Sequence, residues 1–506
     1  MRDSNRNVRA RTRREFLRQG VSLAALAACG PVSVAWAGAP PDGNTPLAIG
    51  SRRELLVDDF LIASLTGAEL KLHKPQPRDV AIVCDAPWEG NTSAYYTIFQ
   101  DGDLYRMYYR GSHSDKTMKM THGQQACYAQ STDGITWTKP ALGLFEFEGS
   151  KQNNIVWTGD GTHNFTPFKD ANPACTPDAQ YKALAGGTTT VDGKRKGCLN
   201  ALKSADGIHW SLVSEGVITA GAFDSQNLAF WDAVRGEYRA YWRIFAGGVR
   251  AIRTATSKDF IHWENQADLT YGDAPAEHLY TNAVMPYFRA PHLLIGFPTR
   301  FQPKTQQVEP VFMTSRDGVV FRRWPEELIP ITAPQDRDGN RSNYMTWGLL
   351  QLPGQDRELS VYATEAYYAG PGSRVRRFTF RTDGFVSLHA DGEGALLTKP
   401  LTFTGSKLSL NIASRGPTRV EVQDAGGKPL PGFALDDCTA ITGDQIGQTV
   451  DWKGGSLSPL AGQPVRLRFV LREADLYSLQ FTSCVGGQQN SAGLVGMVEV
   501  EKSKQR

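Results

Sequence analysis

Short segments in which apolar and polar residues alternate recur through the middle of the chain. Clear examples are "LYRMYYRG" from residue 104, "EYRAYWRIF" from residue 237 and "ELSVYATEAYY" from residue 358. A period of two places successive side chains on opposite faces of an extended backbone, which predicts β-strands. No long stripe with the 3.6-residue period of an amphipathic helix accompanies them, so the sequence predicts an all-β protein.

A seven-residue turn motif follows these segments. It reads "STDGITW" from Ser131 and returns as "SADGIHW" from Ser204, "SKDFIHW" from Ser257 and "SRDGVVF" from Ser315, with a degenerate "RTDGFVS" from Arg381. Aspartate bonds its own backbone and glycine adopts positive φ, so the motif is typical of a tight turn. The copies start 53 to 73 residues apart, which is the period of propeller blades. We predict a five-bladed β-propeller in which the motif closes the turn between the third and fourth strands of each blade.

The flanks of the repeat predict how the propeller begins and ends. The β-like stretch "ELLVDDFLIA", residues 54–63, is expected to close the ring by pairing with the last blade. Beyond about residue 395 the motif stops, and alternating segments such as "KLSLNIAS" and "PVRLRFVL" are separated by Gly/Pro turns. These segments predict a C-terminal β-sandwich. The expected domains are a propeller over residues 50–392 and a sandwich over residues 395–501.

The first 37 residues have the features of an export signal. Arg13 and Arg14 precede an apolar run from Val21 that ends in small residues. The adjacent arginines resemble the twin-arginine signal of bacteria, and the small residues indicate cleavage after Ala37. We therefore predict a signal peptide over residues 1–37 and a periplasmic or secreted protein. Cys29 also fits a lipoprotein processing site, so a membrane contact is predicted only if Cys29 is lipidated.

Charge and cysteine content narrow the classes of function. The signal holds seven arginines and two acidic residues, so the formal charge of +3 for the whole chain becomes −2 without it. Since no basic footprint remains, no nucleic-acid partner is predicted. Six of the seven cysteines lie beyond the signal without a CxxC pair or a Cys/His metal spacing, and both buried thiols and disulfides stay open. No metal site and no cofactor are predicted, although a structural Ca²⁺ ion is compatible with the sequence.

The residues that open each predicted blade carry the candidate chemistry. Propellers bind ligands where their innermost strands converge on the central channel. These positions are rich in carboxylates, amides, histidines and arginines beside Trp and Tyr, which suit sugar hydroxyls and ring faces. The predicted substrate-binding residues are Arg110, His163, Asn164, Asn227, Arg243, His278, Arg300, Asn343 and Glu365.

Three carboxylates are the predicted catalytic residues. Glycoside cleavage needs one carboxyl as proton donor and a second, ionised carboxyl as nucleophile or base. We assign Glu277 as the acid, Asp224 as the residue that holds sugar hydroxyls and stabilises the cationic transition state, and Glu89 as nucleophile or base. A structural role, in which such carboxylates bond turn amides or pair with arginines, stays open for each of them.

The whole pattern resembles the five-bladed propeller glycoside hydrolases of families 32, 43, 62 and 68, and is most similar to exported bacterial proteins of the family 32 type. The resemblance covers about residues 50 to 390 and extends to the C-terminal sandwich. It implies an acidic nucleophile or base, a second aspartate that orients substrate, and a glutamate acid. Asp224 in "FDSQN" is similar to the second aspartate and Glu277 in "AEHLY" to the acid, whereas "PWEGN" around Glu89 stands where family 32 has N-D-P-N-G.

The sequence therefore predicts an exported glycoside hydrolase that acts on oligo- or polysaccharides, with furanosides as candidate substrates. A sialidase-like hydrolase is the first alternative; it would use an arginine cluster for a substrate carboxylate and a Tyr–Glu pair. The second alternative is a carbohydrate-binding propeller without catalysis, which would keep the aromatic and amide groups but need no converging carboxylates.

Overall fold

The computed structural model of the chain describes residues 45–330 and 343–483. Within these ranges the regular elements are β-strands and four single-turn 3-10 helices: Thr162–Asn164, Pro177–Ala179, Leu435–Asp437 and Ser458–Leu460. No helix in these ranges is both long and apolar enough to cross a membrane. The predicted all-β class is confirmed, and the export signal lies outside the described residues.

The first three blades are four-stranded antiparallel sheets. In each of them the strands are hydrogen-bonded in their order along the chain, from the centre of the ring outwards. Blade 1 contains Ala94–Asp101, Leu104–Gly111, Gln125–Ser131 and Ile155–Thr158; blade 2 contains Thr166–Lys169, Tyr181–Val191, Lys194–Ser204 and Ser211–Ile218; blade 3 contains Leu228–Asp232, Glu237–Ala246, Val249–Ser257 and Trp263–Asp268.

Blade 4 follows the same plan with one additional short strand. It contains Met285–Tyr287, Ala290–Gly296, Gln307–Ser315 and Phe321–Glu327, and Thr299–Gln302 also pairs with its third strand. In blade 5, residues Met345 and Leu350 bridge Glu358–Glu365, which pairs with Arg374–Arg381. These sheets confirm the predicted five-bladed propeller.

The ring is closed by a different segment from the one predicted. Gln76–Val83 pairs antiparallel with Arg374–Arg381 and forms the outer strand of blade 5. The predicted closing stretch, residues 54–63, lies elsewhere, because Glu54–Leu55 pairs with Val465–Thr482 near the C-terminus. That prediction was wrong because the partner of each stretch is distant in sequence, and the local pattern does not specify it.

The repeated turn motif lies after the third strand in blades 1 to 4, as predicted. In blade 1, Ser131 Oγ donates to Asp133 Oδ1 at 2.8 Å and accepts from the Gly134 N–H at 2.8 Å. The same Asp133 oxygen accepts from the backbone N–H groups of Ile135 and Thr136 at 2.7 and 2.8 Å. The equivalent aspartates Asp206, Asp259 and Asp317 accept the same pairs of backbone bonds. The motif aspartates therefore satisfy turn amides, which is a structural role.

The motif also joins neighbouring blades. Tyr108 of blade 1 donates its hydroxyl to the Gly207 carbonyl in the turn of blade 2 at 2.9 Å, and Tyr241 of blade 3 donates in the same way to Gly318 of blade 4 at 2.9 Å. Both glycines have positive φ and lie so close to the preceding blade that a Cβ atom would clash. The recurring glycine therefore brings a turn carbonyl within reach of the adjacent blade.

The strands outside the ring form one nine-stranded sheet around its own hydrophobic core. Its N-terminal members come before the propeller in sequence, and two of its C-terminal strands are 18 residues long. This C-terminal sheet is consistent with the predicted sandwich, while the domain boundaries at residues 392 and 395 stay a prediction. Its strands are Leu47–Gly50, Glu54–Leu55, Ile62–Thr66, Glu69–Leu72, Val386–Thr398, Leu401–Phe403, Lys407–Asp424, Ile441–Val450 and Val465–Thr482.

Candidate functional site

Five blades contribute side chains to one polar cluster at the end of the propeller where the innermost strands begin. The first strands of the blades are preceded by loops, and the second strands end there, so both carry side chains to the same place. We call this set the mouth cluster: Tyr95 and Arg110 from blade 1, His163 before blade 2, Asp224, Arg243 and Arg250 from blade 3, Tyr280 before blade 4, and Tyr344 and Tyr367 from blade 5.

Asp224 is the carboxylate of the mouth cluster. Its Oδ1 atom lies 2.8 Å from His163 Nε2 and accepts a longer bond of 3.5 Å from the Tyr95 hydroxyl. Its Oδ2 atom accepts from the Tyr280 hydroxyl at 3.1 Å and lies 3.5 Å from Arg243 Nη2. Its side chain nevertheless remains 62% exposed, so a ligand can reach it.

The environment of Asp224 keeps it ionised. Partial burial acts to raise its pKa, but the hydrogen bond and charge of His163 and the charge of Arg243 outweigh this effect and lower the pKa to about 2. An ionised carboxylate only accepts hydrogen bonds. Nε2 of His163 therefore carries the proton between the two groups.

The other side of His163 is also held. Its Nδ1 atom lies 3.0 Å from Gln124 Oε1 and 3.2 Å from Arg110 Nη1. Arg110 is buried; it donates to the Thr92 carbonyl at 2.8 Å and to the Tyr367 hydroxyl at 2.9 Å. Blade 1 thus fixes the imidazole next to Asp224 of blade 3.

Aromatic rings surround the polar groups on the blade 3 to blade 5 side. The guanidinium of Arg243 lies 4.6 Å from the Tyr280 ring centroid, and that of Arg250 lies 5.4 Å from it. The ring of Tyr344 lies 5.7 Å from Tyr280 and 5.8 Å from Tyr367. Burial, with Asp224 as a nearby negative charge, raises the pKa of Tyr280, so its phenol stays a hydrogen-bond donor.

The backbone that presents Asp224 is fixed by two asparagines that we predicted to bind substrate. Asn164 Nδ2 donates to the carbonyls of Phe223 and Ser225 at 2.5 and 3.0 Å, and Asn227 Nδ2 donates to the same two carbonyls at 2.8 and 2.9 Å. Both amides are buried and occupied. The direct binding role is therefore corrected: Asn164 and Asn227 position the loop that carries Asp224.

Glu89 does not take the position of a nucleophile or base. Its side chain has no exposed surface, and its carboxylate accepts from Lys139 Nζ at 2.6 Å, from the Tyr109 hydroxyl and from the Ala86 N–H at 3.1 Å. Both of its oxygens are hydrogen-bonded to groups of blade 1 or of the loop that precedes it. The catalytic assignment is corrected because a substrate atom has no access to this carboxylate.

Glu277 is also placed differently from the prediction. Arg300 Nη1 and Arg323 Nη1 lie 3.3 and 2.7 Å from its two oxygens, and Arg300 also pairs with Glu309 at 2.7 Å. Arg323 belongs to the outer strand of blade 4, so Glu277 is paired with a residue of an outer strand. Glu277 shares no partner with Asp224 among the described contacts, and the predicted acid role of Glu277 and binding role of Arg300 are not supported.

Three further predicted residues lie outside the mouth cluster or at its edge. Glu365 is buried and paired with Arg374 and Arg376 at 2.8 and 2.6 Å. His278 Nδ1 lies 3.3 Å from Arg250 Nη1, so it is one contact away from the cluster. Asn343 is buried and donates to the Pro330 carbonyl at 3.1 Å. The structure thus joins Asp224, His163, Arg110 and Arg243 in one cluster. It places Asn164, Asn227 and His278 directly behind or beside that cluster.

The predicted site residues did not include the phenols and one arginine of the mouth cluster. Tyr95 lies on the first strand of blade 1 with φ of 59°, a conformation that its sequence does not signal. Arg250 follows a Gly-Gly turn, and Tyr367 lies in the loop after the second strand of blade 5. Arg110 and Arg243 were predicted from their place on second strands, and that signal does not extend to Arg250 on a third strand or to Tyr367 in a loop.

Neither a metal centre nor a disulfide is found in the described ranges. No three His, Cys, Asp or Glu side chains there are arranged to hold a metal ion. The cysteines of these ranges are free thiols: Cys84, Cys127, Cys175, Cys198 and Cys438. The compatibility with Ca²⁺ stays untested, and Cys484 lies outside the described residues.

No family model and no curated protein matches this chain. Solved structures do match it. A thermostable family-43 glycoside hydrolase aligns with a TM-score of 0.41 and 11% identity over 59% of this chain and 93% of its own. A family 32 β-fructofuranosidase from Bombyx mori aligns with a TM-score of 0.38 and 9% identity over 81% and 94%, and an N-acetylgalactosamine deacetylase from F. plautii with 0.44 and 11% over 62% and 96%.

The resemblance stated from the sequence is a resemblance of architecture, and the five blades of the chain itself confirm that architecture. The structures that match include glycoside hydrolases and phosphorylases. At these TM-scores and identities they do not identify the reaction of this chain. The chemistry has to be inferred from the mouth cluster.

Proposed function

We propose that the protein is a glycoside hydrolase whose active site is the mouth cluster. The observation that carries the proposal is Asp224: an ionised and largely exposed carboxylate, held by His163, Tyr95, Tyr280 and Arg243 where the blades converge. Phenols, guanidinium groups and a carboxylate around one opening are suited to sugar hydroxyls. The pattern differs from the two-carboxylate site expected from the sequence.

In this proposal Asp224 supplies the negative charge that stabilises the oxocarbenium-like transition state, either as nucleophile or electrostatically. Its low pKa suits that role, because the group is ionised at any pH near neutrality. Asp224→Asn keeps the size of the side chain and its capacity to accept a hydrogen bond. We expect it to lower kcat by at least about 10²-fold on every substrate.

His163 is the titratable group nearest to Asp224, and we assign it the donation of the leaving-group proton. A general acid contributes roughly 10²–10⁴-fold when the leaving group needs protonation, and little when the leaving group is activated. His163→Gln should therefore lose much more rate on a natural glycan than on a nitrophenyl glycoside. Equal losses on both substrates would assign His163 to positioning Asp224 instead.

The sialidase-like alternative has one observation in its favour. The Tyr280 hydroxyl lies 3.1 Å from Asp224 Oδ2, so a tyrosine nucleophile with Asp224 as its base is geometrically available. The low pKa of Asp224 makes it a weak base, which favours Asp224 itself as the reacting group. A 2-deoxy-2-fluoroglycosyl fluoride traps the covalent intermediate of a retaining enzyme, and peptide mass spectrometry would show the label on Asp224 or on Tyr280.

The carbohydrate-binding alternative predicts a different result in one assay. A purified wild-type protein that binds glycans saturably but hydrolyses none of a panel of natural and nitrophenyl glycosides would contradict the enzyme proposal. Furanosides belong in that panel as the substrates expected from the sequence.

We also propose that the protein is exported through the twin-arginine route to the periplasm or the medium. The proposal rests on Arg13 and Arg14 and on the apolar run that follows them. Lipidation of Cys29 would instead retain the protein at a membrane.

A further inference from the structure

The mouth cluster contains more positive than negative charge. The guanidinium groups of Arg110, Arg243 and Arg250 all lie in it, while Asp224 is the one carboxylate that contacts them among the described residues. Arg110 is occupied by a carbonyl, a phenol and an imidazole. Arg243 lies 3.5 Å from Asp224, which is long for an ion pair, and Arg250 contacts a histidine and three aromatic rings.

Several other arginines of the propeller form short ion pairs with carboxylates. Arg106 is paired with Asp101 at 2.5 Å, Arg235 with Asp232 at 2.6 Å and Arg316 with Asp58 at 2.7 Å. Taking a cation out of water is costly unless an anion accompanies it, so such pairing is the ordinary arrangement. The three arginines of the mouth cluster lack such a close carboxylate partner among the described residues, although all three lie in one site.

Three arginine donors at the mouth also lack hydrogen-bond partners within the described ranges, and one of them is Nε of Arg110. The other two, Nη1 of Arg243 and Nε of Arg250, are buried with no acceptor among the described residues. Arg243 and Arg250 lie beside the same ring, that of Tyr280, at 4.6 and 5.4 Å. A buried donor without a partner in the chain needs an acceptor from outside it, and at a binding site a ligand group can supply that acceptor.

An exposed ring lies against the same two arginines. Phe245 is 62% exposed, and the guanidinium carbons of Arg243 and Arg250 lie 5.7 and 5.6 Å from its centroid. It lies near the end of the strand Glu237–Ala246, directly opposite Arg250 on the strand Val249–Ser257. An exposed aromatic ring next to cations is suited to a ligand that has both an apolar face and a negative group.

We propose that the mouth cluster recognises an anionic sugar residue, one that bears a carboxylate or a sulfate, and that Arg243 and Arg250 bind the anionic group while Phe245 packs against the sugar ring. This inference rests on the proposed function, because it takes the mouth cluster as the glycan site. It adds the substrate class. An anionic group supplies acceptors for the donors that the chain leaves unpaired, and charge-assisted bonds are the stronger kind.

The first experiment is a glycan array that carries neutral, uronate-bearing, sialylated and sulfated oligosaccharides, probed with the wild-type protein. We expect binding to one of the anionic classes, and the class that binds separates a carboxylate from a sulfate as the source of the charge. Calorimetry then compares the bound glycan with its carboxyl-reduced or desulfated form. We expect at least 10-fold weaker binding of the neutral form, and weaker binding of the anionic form in 500 mM than in 50 mM NaCl.

The variants localise the anion. Arg250→Gln should weaken binding of the anionic glycan at least 10-fold and binding of its neutral form less than 2-fold. The matched control is Arg253→Gln, because Arg253 lies on the same strand but pairs with Asp268 on the outer side of the blade; it should leave both affinities unchanged. Phe245→Ala should weaken both forms. Circular dichroism and thermal unfolding verify that each variant is folded.

Several outcomes would overturn the inference. These are binding of neutral glycans only, equal affinities for the anionic and neutral forms, equal effects of the Arg250 and Arg253 substitutions, or no glycan binding at all. Hydrolysis of neutral glycans without preference for charge would remove this inference and leave the proposed function. Binding of an anionic glycan without hydrolysis would leave this inference and remove the catalytic proposal.

Discussion

The pair of Glu89 and Lys139 offers a direct test of whether Glu89 is structural or catalytic. The Glu89 side chain has no exposed surface and Lys139 is 20% exposed, with 2.6 Å between their charged atoms. Lys139→Met keeps the length of the side chain but leaves a buried carboxylate with only the Tyr109 hydroxyl and the Ala86 N–H as partners. Removing one partner of a buried ion pair costs about 3–5 kcal/mol, and we expect the lower end because Lys139 is partly exposed.

Glu89→Gln should have a smaller effect of about 1–3 kcal/mol, because the amide still accepts hydrogen bonds and Lys139 retains Asp85 and the Val83 carbonyl. The double variant should lose less than the sum of the two single variants, since it removes both charges. Denaturant unfolding measures the stabilities, and kcat on a nitrophenyl glycoside is measured on the same samples below the unfolding transition.

If Glu89 is structural, its substitution should lower the stability of the protein without lowering its catalytic rate. Folded Glu89→Gln should retain kcat within about 3-fold, far from the roughly 10²-fold or greater loss expected when a transition-state charge is removed. A Glu89→Gln protein with wild-type stability and a rate lowered by orders of magnitude would refute the structural assignment and restore the catalytic one.

Three further predictions follow from the described contacts and the sequence. The depressed pKa of Asp224 contributes stability that is present above its unfolded-state pKa of about 3.9 and is lost as pH falls through the folded value of about 2; the difference in unfolding free energy between wild type and Asp224→Asn should therefore shrink from pH 5 to pH 2. Thermal unfolding scans measure this difference, and a constant value would contradict the pairing of Asp224 with His163 and Arg243. Tyr108→Phe removes the hydroxyl that reaches the Gly207 carbonyl of the next blade and should cost about 1 kcal/mol in denaturant unfolding with kcat unchanged, whereas no loss would show that the bond between blades contributes nothing. Arg13→Lys together with Arg14→Lys should retain precursor in the cytoplasm by cell fractionation, and unchanged export would exclude the twin-arginine route.

The parts of the fold that could be predicted from sequence are those fixed by local chemistry. The Ser131, Ser204, Ser257 and Ser315 turns are built from hydrogen bonds within a few residues, so their sequence determines their geometry. Their spacing then gives the number of blades. Ring closure depends on a partner almost a whole propeller away, and alternation alone cannot select Gln76–Val83 over residues 54–63.

The candidate site was predicted in part for the same reason. Asp224 and His163 precede the first strands of their blades, and Arg110 and Arg243 lie towards the ends of second strands. The propeller architecture itself brings both kinds of position to the mouth. Whether a side chain is free or occupied depends on distant residues: Glu277 is taken by Arg323 of an outer strand, and the amides of Asn164 and Asn227 by the loop backbone. Sequence spacing contains no information about such partners.

The pairing of Gln76–Val83 with Arg374–Arg381 determines when the propeller can be completed during synthesis. The closing strand leaves the ribosome about 290 residues before its partner, which corresponds to about 15–60 s at 5–20 residues per second. Throughout that interval it is an unpaired strand edge, the kind of surface on which chains aggregate. Pro77, Arg78 and Asp79 occupy the first half of the strand, and proline and charge are the features that prevent such edges from pairing with the wrong chain. The composition of the closing strand therefore protects it from pairing with another chain until Arg374–Arg381 has been synthesised.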